Sequence, residues 1–231
     1  MPHDDIVIVG AGEAGGRAAI ALRNAGFSGR VVLVGEETYP PYERPPLSKA
    51  ALADAAAPAP VVIADGGRLA DLGIERIGGV AATAIDRGQR QVELADGRRL
   101  PYDALVLATG ARARTLPLPG AEHVLTLRTF DDALRLRERI FAAERVLVVG
   151  GGFIGLEVAA SARALGRQVT VMEADSRLLR RSTPEALAAA LEARHAAEGV
   201  EIVKGARIEG FEATQRGVVV RSSAGAHEAE V

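Results

Sequence analysis

Residues 6–37, IVIVGAGEAGGRAAIALRNAGFSGRVVLVGEE, place a glycine-rich turn and a helical pattern between two short apolar runs. The runs at 6–9 and 31–34 are continuously apolar, which is typical of parallel strands that are covered on both faces. The glycines form a G-x-G-x-x-G pattern at Gly10, Gly12 and Gly15, directly after the first run. Strand, glycine turn, helix and strand in this order predict a βαβ unit that binds a dinucleotide.

Each glycine of this turn has a physical role in such a unit. Gly10 permits the tight turn, Gly12 lets a pyrophosphate approach the backbone, and Gly15 lets the helix pack closely on the strand. The helix amino terminus presents N–H groups and a positive dipole end to the phosphates, a contact that includes Ala14. Glu36 follows Gly15 by about 20 residues, so we predict that it accepts a hydrogen bond from a ribose hydroxyl.

The same pattern returns in the second half of the chain. Residues 145–155, RVLVVGGGFIG, again give an apolar run and a glycine turn, here with Gly150, Gly152 and Gly155. A helical pattern follows, and then an apolar run that ends in Glu173. One nucleotide needs one such unit, so two copies predict two bound nucleotides. The alternative, an internal duplication without function, explains fewer of these residues.

Glu173 bears on the choice of nicotinamide cofactor. A carboxylate at this position accepts from the 2′-hydroxyl of NAD and repels the 2′-phosphate of NADP. Three arginines, Arg177, Arg180 and Arg181, follow closely and could offset that repulsion. We therefore expect NADH, with NADPH as the less favoured alternative.

Composition excludes several classes of protein. The chain has 231 residues, 48% of them hydrophobic, and a net charge of −2, which argues against a general nucleic-acid or membrane-surface binder. No apolar run approaches the ~18 residues of a membrane span. The start MPHDD has no secretory pattern, so a cytoplasmic location is expected. The chain has no cysteine, which excludes disulfides, thiolate metal sites and thiol redox catalysis. We expect no metal site.

Residues 39–49, YPPYERPPLSK, contain four prolines, which predict a stiff, extended loop. It is either a surface connector or a rigid wall beside the ligand that fixes Arg44 and Lys49.

Together, GAGEAG, the Glu-Glu pair at 36–37 and YERPPLSKA at 42–50 resemble the start of the flavin-dependent ferredoxin reductases of bacterial oxygenase systems. That family belongs to the glutathione-reductase-like pyridine nucleotide-disulfide oxidoreductases, and the resemblance covers essentially the whole chain.

The resemblance implies an oxidoreductase in which FAD takes a hydride from NADH and passes single electrons to a ferredoxin or rubredoxin-like iron–sulfur protein. Lys49 and Glu157 are implied to pair and to orient the flavin and the nicotinamide. For Glu157, a favourable position near a helix amino terminus is the purely structural alternative. The further cofactor contacts that the resemblance implies are Arg44, Pro46, Lys49, Val80, Ala108, Thr109, Gly110, Arg128, Phe153, Ile154 and Arg181.

The predicted fold class is α/β, with two Rossmann-like units of the three-layer ββα type and a small antiparallel β-meander in the first. Asp96-Gly97 between alternating runs is the hairpin signal of this meander.

The expected domains are 1–115 for FAD, first segment only, and 116–231 for NAD(H). Members of the family continue past this chain, so we expect an incomplete second domain with an open sheet edge and a possible homodimer. The alternative function is a nucleotide-binding fragment without turnover; thiol-dependent disulfide reductases are set aside because cysteine is absent.

Overall fold

The computed structural model describes residues 4–53 and 58–231. In chain order the elements are β1 (Asp5–Val9), α1 (Glu13–Asn24), β2 (Arg30–Gly35), α2 (Ala50–Ala53), α3 (Gly66–Asp71), β3 (Ile74–Gly78), β4 (Ala82–Asp86), β5 (Gln91–Leu94), β6 (Arg99–Pro101), β7 (Ala104–Leu107), α4 (Phe130–Ala142), β8 (Arg145–Val149), α5 (Phe153–Ala164), β9 (Gln168–Glu173), α6 (Glu185–Ala197), β10 (Val200–Lys204), β11 (Ile208–Thr214), β12 (Gly217–Ser222) and β13 (Gly225–Ala229). Short 3₁₀ turns lie at Pro45–Ser48 and Ala121–His123.

The chain divides into two compact units. The first contains the described residues up to 44 together with 60–112, and the second contains those of 45–59 together with 113–231. This division differs from the predicted segments 1–115 and 116–231, because residues 45–59 belong to the second unit. Leu47 and Leu52 explain the difference, since both are buried where the 3₁₀ turn and α2 pack against α4 and α5.

The first unit contains a four-stranded parallel sheet in the order β3-β2-β1-β7. The apolar runs at 6–9 and 31–34 are buried as predicted, and Val7 lies opposite Val32 in the register. The apolar run within residues 102–110, YDALVLATG, predicts another buried strand. This prediction is wrong, because β7 lies at the sheet edge and Leu107 is 62% exposed. The sequence changes to short alternating runs at Ile74, which predicts that the meander begins there, but residues 74–78 form the other parallel edge of this sheet.

Side chains of this sheet alternate between two apolar layers, as strand geometry requires. Ile8 and Leu33 pack with Ala19 of α1 and Leu69 of α3 on one face. On the other face, four valines of β1 and β2 pack against the antiparallel sheet β4-β5-β6, which turns at Asp96-Gly97. These valines are Val7, Val9, Val32 and Val34. Helix, parallel sheet and meander form the predicted three-layer ββα arrangement.

The second unit repeats these layers. Strands β10-β9-β8 form a parallel sheet, and α5 packs on β8 and β9. Met172 of this sheet is buried with Phe211 and Val220 of the antiparallel sheet β11-β12-β13. The apolar runs at 201–204 and 217–221 predict strands, and these are β10 and β12, whereas β11 and β13 were not predicted. Beyond β13, Leu147 N–H donates to the Val231 carbonyl, so the last residues run beside β8.

Two local predictions were wrong. Residues 39–49 are not extended throughout, because prolines fit the first positions of the 3₁₀ turn Pro45–Ser48, where no N–H is needed. The sequence Ser182-Thr183-Pro184 predicts Thr183 as an N-cap with proline at the first helical position, but Pro184 is the N-cap of α6. The Thr183 hydroxyl instead lies 3.4 Å from the Leu179 carbonyl, to which it donates. Within residues 4–53 and 58–231, no helix combines the length and apolar character needed to cross a membrane.

Candidate functional site

The glycine turn between β1 and α1 contains two glycines that the packing of the chain requires. Gly10 has a φ of +111°, and a Cβ there would lie 2.1 Å from the Ala108 carbonyl oxygen. A Cβ on Gly15 would lie 1.8 Å from the carbonyl oxygen of Gly10. Any side chain at either position therefore collides with backbone.

Gly12 differs from its neighbours, because neither its conformation nor its packing requires glycine. Its φ of −79° and ψ of −165° suit any residue, and an added Cβ would meet only Nη2 of Arg44, at 3.7 Å. Gly12 is the N-cap of α1, and no side chain caps this helix. The open space and the uncapped N–H groups of the first turn together fit a pyrophosphate.

The turn between β8 and α5 has the same design. Gly150 has a φ of +106°, and a Cβ on Gly155 would lie 2.1 Å from the Gly150 carbonyl oxygen. Gly152 has a φ of −82°, has nothing within 4 Å of an added Cβ, and caps α5 without a side-chain bond. Helix α4 follows no glycine turn, and its amino terminus has a capping box formed by Thr129 and Asp132. Among the helices that the structure describes with an N-cap, only those of the two glycine turns thus combine a start without a side-chain cap with a glycine that the fold does not need.

Glu173 lies beside the second turn, at the carboxyl end of β9. Its Oε2 accepts from Gly151 N–H at 2.8 Å, and its Oε1 accepts from Asp175 N–H at 2.8 Å. Each carboxylate oxygen has a second lone pair, so both can still accept from a ribose hydroxyl. Phe153 and Ile154 begin α5 next to this turn and are 52% and 55% exposed.

The arginines that follow Glu173 are partly engaged. Arg180 forms a 2.7 Å ion pair with Asp175. Arg177 donates to backbone carbonyls of its own loop, among them that of Thr183 at 3.2 Å. Arg181 is exposed. The capacity of this loop to neutralise a 2′-phosphate is therefore smaller than three arginines in the sequence imply.

Arg44 lies beside Gly12 in the first unit, and two side chains fix its guanidinium. Its Nη2 lies 2.7 Å from Oε1 of Glu37, and its Nη1 donates to the Tyr42 hydroxyl at 3.1 Å. The Tyr42 hydroxyl in turn donates to Oε2 of Glu37 at 2.5 Å. Sequence reasoning missed Glu37 and Tyr42, although the Glu-Glu pair was the available signal. Glu36 has a 70% exposed side chain, 3.8 Å from Arg112.

The remaining predicted residues of the first unit lie at or after the carboxyl ends of its parallel strands, where open α/β sheets bind ligands. Val80 N–H donates to the Gly35 carbonyl at the end of β2. Ala108 N–H donates to the Val9 carbonyl at the end of β1, and Thr109 and Gly110 follow it. Ala14 is exposed in the first turn of α1.

The loop lysine and the glutamate of α5 meet in the second unit. Lys49 Nζ lies 2.8 Å from Oε2 of Glu157, and the Ser48 hydroxyl donates to the same oxygen at 2.5 Å. Pro46 precedes them in the 3₁₀ turn, and its carbonyl accepts from Lys49 N–H. Burial of the Glu157 carboxyl disfavours its charge, but the hydrogen bonds from Lys49 and Ser48 and the charge of Lys49 outweigh this effect. The pKa of Glu157 is thereby held below its ordinary value of 4.5.

Arg128 immediately precedes the N-cap of α4, and its N–H donates to Oδ2 of Asp132 at 3.0 Å. Sequence reasoning also missed the Ser48 hydroxyl as a partner of Glu157. In the part of the chain that the structure describes, no group of His, Asp and Glu side chains is arranged to hold a metal ion.

The chain matches the family described as pyridine nucleotide-disulphide oxidoreductase over residues 4–230. It is 42% identical over 215 residues to putidaredoxin reductase of Pseudomonas putida, an alignment that covers 91% of this chain and 51% of that protein. It is 45% identical over 199 residues to the ferredoxin–NAD(+) reductase component of the p-cumate 2,3-dioxygenase system of Pseudomonas putida, covering 85% of this chain and 49% of that component.

Solved structures show the same likeness. The ferredoxin reductase for the CYP199A2 system from Rhodopseudomonas palustris superposes with a TM-score of 0.94 at 38% identity, covering 99% of this chain and 57% of that one. The reductase in the covalent putidaredoxin reductase–putidaredoxin complex gives a TM-score of 0.92 at 40% identity, with 99% and 57% coverage. The chain thus spans about half the length of the curated relatives it matches. By its match over residues 4–230 and its identity to these reductases, the chain belongs to the pyridine nucleotide-disulphide oxidoreductase family.

Proposed function

We propose that this chain is the nucleotide-binding part of a flavin-dependent reductase that passes electrons from NADH through FAD to a ferredoxin-type iron–sulfur protein. Membership of the family implies a flavin and a nicotinamide cofactor. Relatives are named as ferredoxin–NAD(+), putidaredoxin and rubredoxin reductases, which supports an acceptor of the ferredoxin or rubredoxin kind.

One observation carries the proposal. Each unit has a glycine, Gly12 or Gly152, that neither backbone conformation nor packing requires, at a helix start without a side-chain cap. A position at which a side chain costs the fold little, yet which carries none, fits a backbone that must approach a ligand. Two such positions in two units support two nucleotides.

We assign FAD to the first unit and NADH to the second. In the first, Gly12 and Arg44 face the pyrophosphate, and Glu36 binds the ribose. In the second, Gly152 and the exposed start of α5 receive NADH. FAD, when bound, supplies the acceptance of a hydride and its release as single electrons. The chain contributes binding and the charge pair Lys49–Glu157, whose proposed role is to orient the flavin and the nicotinamide.

We propose NADH over NADPH because of Glu173. Its carboxylate is held by two backbone N–H groups and repels a 2′-phosphate, whereas Arg177 and Arg180 already bond within their own loop. Arg181 is then the cation of this loop to which a phosphate has easiest access. The cytoplasmic location and the homodimer stay predictions.

The alternative is a nucleotide-binding chain without turnover of its own. The flavin content of the purified 231-residue chain separates the two. After thorough desalting, its visible spectrum is recorded before and after anaerobic addition of NADH. A flavin spectrum that bleaches with NADH supports the reductase. A colourless chain that added FAD does not reconstitute contradicts it and leaves the alternative.

A further inference from the structure

Three serines of the described chain are buried, Ser48, Ser161 and Ser222, with 4%, 8% and 8% exposure. A buried hydroxyl costs free energy unless it is hydrogen-bonded, and all three have partners. Ser222 closes the turn between β12 and β13 by donating to the Gly225 carbonyl at 3.0 Å. The other two lie together, and their bonds lead to the Lys49–Glu157 pair.

The bonds form a continuous series within the second unit. The Ser161 hydroxyl donates to the Ser48 carbonyl at 2.7 Å, and the Ser48 hydroxyl donates to Oε2 of Glu157 at 2.5 Å. Lys49 Nζ lies 2.8 Å from the same oxygen. Ser161 stands four residues after Glu157, so both lie on one face of α5. One helix face thus fixes both the backbone of the loop and the carboxylate that its lysine meets.

Apolar packing alone does not orient this lysine. Leu47 and Leu52 are buried and hold the segment against the unit, whereas the exposed Lys49 ammonium donates at 3.1 Å to the Pro45 carbonyl of its own loop, a bond that does not tie it to α5. Its side chain is 52% exposed and has four rotatable carbons, so a single ion pair at the surface contributes little to its placement. Two hydrogen bonds from serines supply this orientation. One holds the Ser48 carbonyl, which is adjacent to Lys49, and the other holds the Glu157 carboxylate with which the lysine pairs.

We propose that Ser48 and Ser161 are positioning residues that hold Lys49 and Glu157 in one fixed arrangement. For the reaction, this inference rests on the proposed function, in which that pair orients the flavin and the nicotinamide. Neither serine needs to touch a cofactor. Ser161 acts through the backbone of Ser48, and Ser48 acts through the carboxylate of Glu157.

The chain offers a direct test because its lysines are Lys49 and Lys204 alone. The purified chain, without added flavin, is labelled with limiting N-acetoxysuccinimide, and acetylation at each lysine is followed by mass spectrometry. Lys204, paired with Glu192 at 2.5 Å, is the internal reference. The variants are Ser161→Ala, Ser48→Ala and Glu157→Gln, with Ser222→Ala as the matched control for loss of a buried serine.

We expect Lys49 acetylation, relative to Lys204, to rise about threefold in Ser161→Ala and Ser48→Ala, the effect of losing one net hydrogen bond. Glu157→Gln should give at least the same rise, and Ser222→Ala none. General loosening of the unit raises the acetylation of both lysines and so leaves the ratio of Lys49 to Lys204 acetylation unchanged. An unchanged ratio in both serine variants, with or without a rise in Glu157→Gln, overturns the proposal. The measurement requires neither flavin nor turnover, so a chain that fails to bind FAD does not affect it.

Discussion

Lys49 Nζ lies 2.8 Å from Oε2 of Glu157, joining a loop of the first half of the chain to a helix of the second. The carboxyl of Glu157 is partly desolvated, which favours its neutral form, but hydrogen bonds from Lys49 and Ser48 and the lysine charge prevail. The pKa of Glu157 is therefore lower in the folded chain than its ordinary 4.5. A carboxyl with a lowered folded-state pKa stabilises the fold above its unfolded pKa, and this stabilisation is lost as pH falls through the folded value.

Glu157→Gln should consequently destabilise the chain at pH 7 and cost progressively less as the pH falls below 4.5. The reason is that acid neutralises the wild-type carboxyl and so removes the interaction that the variant lacks at every pH. Thermal or urea unfolding of both proteins over this range measures the difference in free energy of unfolding.

The double variant Lys49→Gln, Glu157→Gln serves as the control. The interaction free energy between the two residues should decrease over the same pH range as the destabilisation by Glu157→Gln. A destabilisation by Glu157→Gln that stays constant from neutral pH to well below 4.5 contradicts the assigned interaction.

The glycine turns predict opposite outcomes for neighbouring substitutions. Gly12→Ala and Gly152→Ala should cost about 1 kcal/mol of stability or less, the penalty of alanine at an N-cap. They should nevertheless weaken nucleotide binding, because a methyl group fills the space that the pyrophosphate needs. Gly152→Ala should reduce NADH affinity at least tenfold by calorimetric titration, while the melting temperature changes little.

Gly15→Ala and Gly155→Ala are the matched controls at the same turns. Their added Cβ atoms would lie 1.8 Å and 2.1 Å from backbone oxygens, so these variants should lower the melting temperature strongly or fail to fold. If Gly152→Ala binds NADH as tightly as the wild type, the assignment of this turn to the nicotinamide cofactor is wrong.

Much of the fold could be predicted because short-range patterns determine it. Continuous apolar runs and glycine turns located β1, β2, β8 and β9, and Asp96-Gly97 located the hairpin of the meander. Strand β7 was misjudged because an apolar run gives no information on whether a neighbour covers it. Leu107 lies at an edge and is exposed for that reason. The grouping of the described residues of 45–59 with the second unit could not be predicted, because Leu47 and Leu52 are buried against α4 and α5, which are distant in sequence.

Some residues of the candidate site could be predicted from the sequence, namely those whose residue type has one known role at a fixed spacing. The glycines and Glu173 belong to a spacing that has a physical explanation, so their positions followed from the sequence. Glu37 acts on Arg44, and Ser48 acts on Glu157, through hydrogen bonds that no spacing in the sequence indicates. Both residues were missed for this reason. Such partners depend on side-chain geometry and become visible only in the folded chain.

Glu37 should influence flavin binding through Arg44. Glu37→Gln removes the charge that holds the guanidinium beside Gly12, and Tyr42→Phe removes a second partner, so each should lower FAD affinity severalfold. Arg44→Ala should lower it at least as much, by about tenfold for a charge-assisted contact to phosphate. Fluorescence titration of the flavin-free chain with FAD measures all three.

A control with a similar ion pair elsewhere in the first unit is Glu75→Gln, whose partner Arg30 lies 2.7 Å away on the neighbouring strand. This variant should bind FAD as the wild type does. Equal FAD affinity in Glu37→Gln, Arg44→Ala and the wild type removes Arg44 from the flavin site.

Glu173 should determine the preference for NADH. Glu173→Ala removes the negative charge and the acceptor of the Gly151 and Asp175 N–H groups, so NADH affinity should fall and discrimination against NADPH should shrink by about tenfold. Glu173→Gln keeps an oxygen acceptor while it removes the charge, and should therefore weaken discrimination more than NADH binding. Dissociation constants for NADH and NADPH at two salt concentrations separate the two contributions, because repulsion between charges is screened by salt.

Glu201→Gln provides the comparison on the adjacent strand, where the Glu201 carboxylate accepts from the Thr170 hydroxyl at 2.8 Å, away from the glycine turn. It should leave both dissociation constants unchanged. An NADH-to-NADPH ratio that is the same in the wild type, Glu173→Ala and Glu173→Gln shows that the carboxylate does not select the cofactor. Selection then depends on the arginines after β9, of which Arg177 and Arg180 are engaged within their loop and Arg181 is exposed. Arg181→Ala, which should otherwise weaken only NADPH binding, would in that case change the preference on its own.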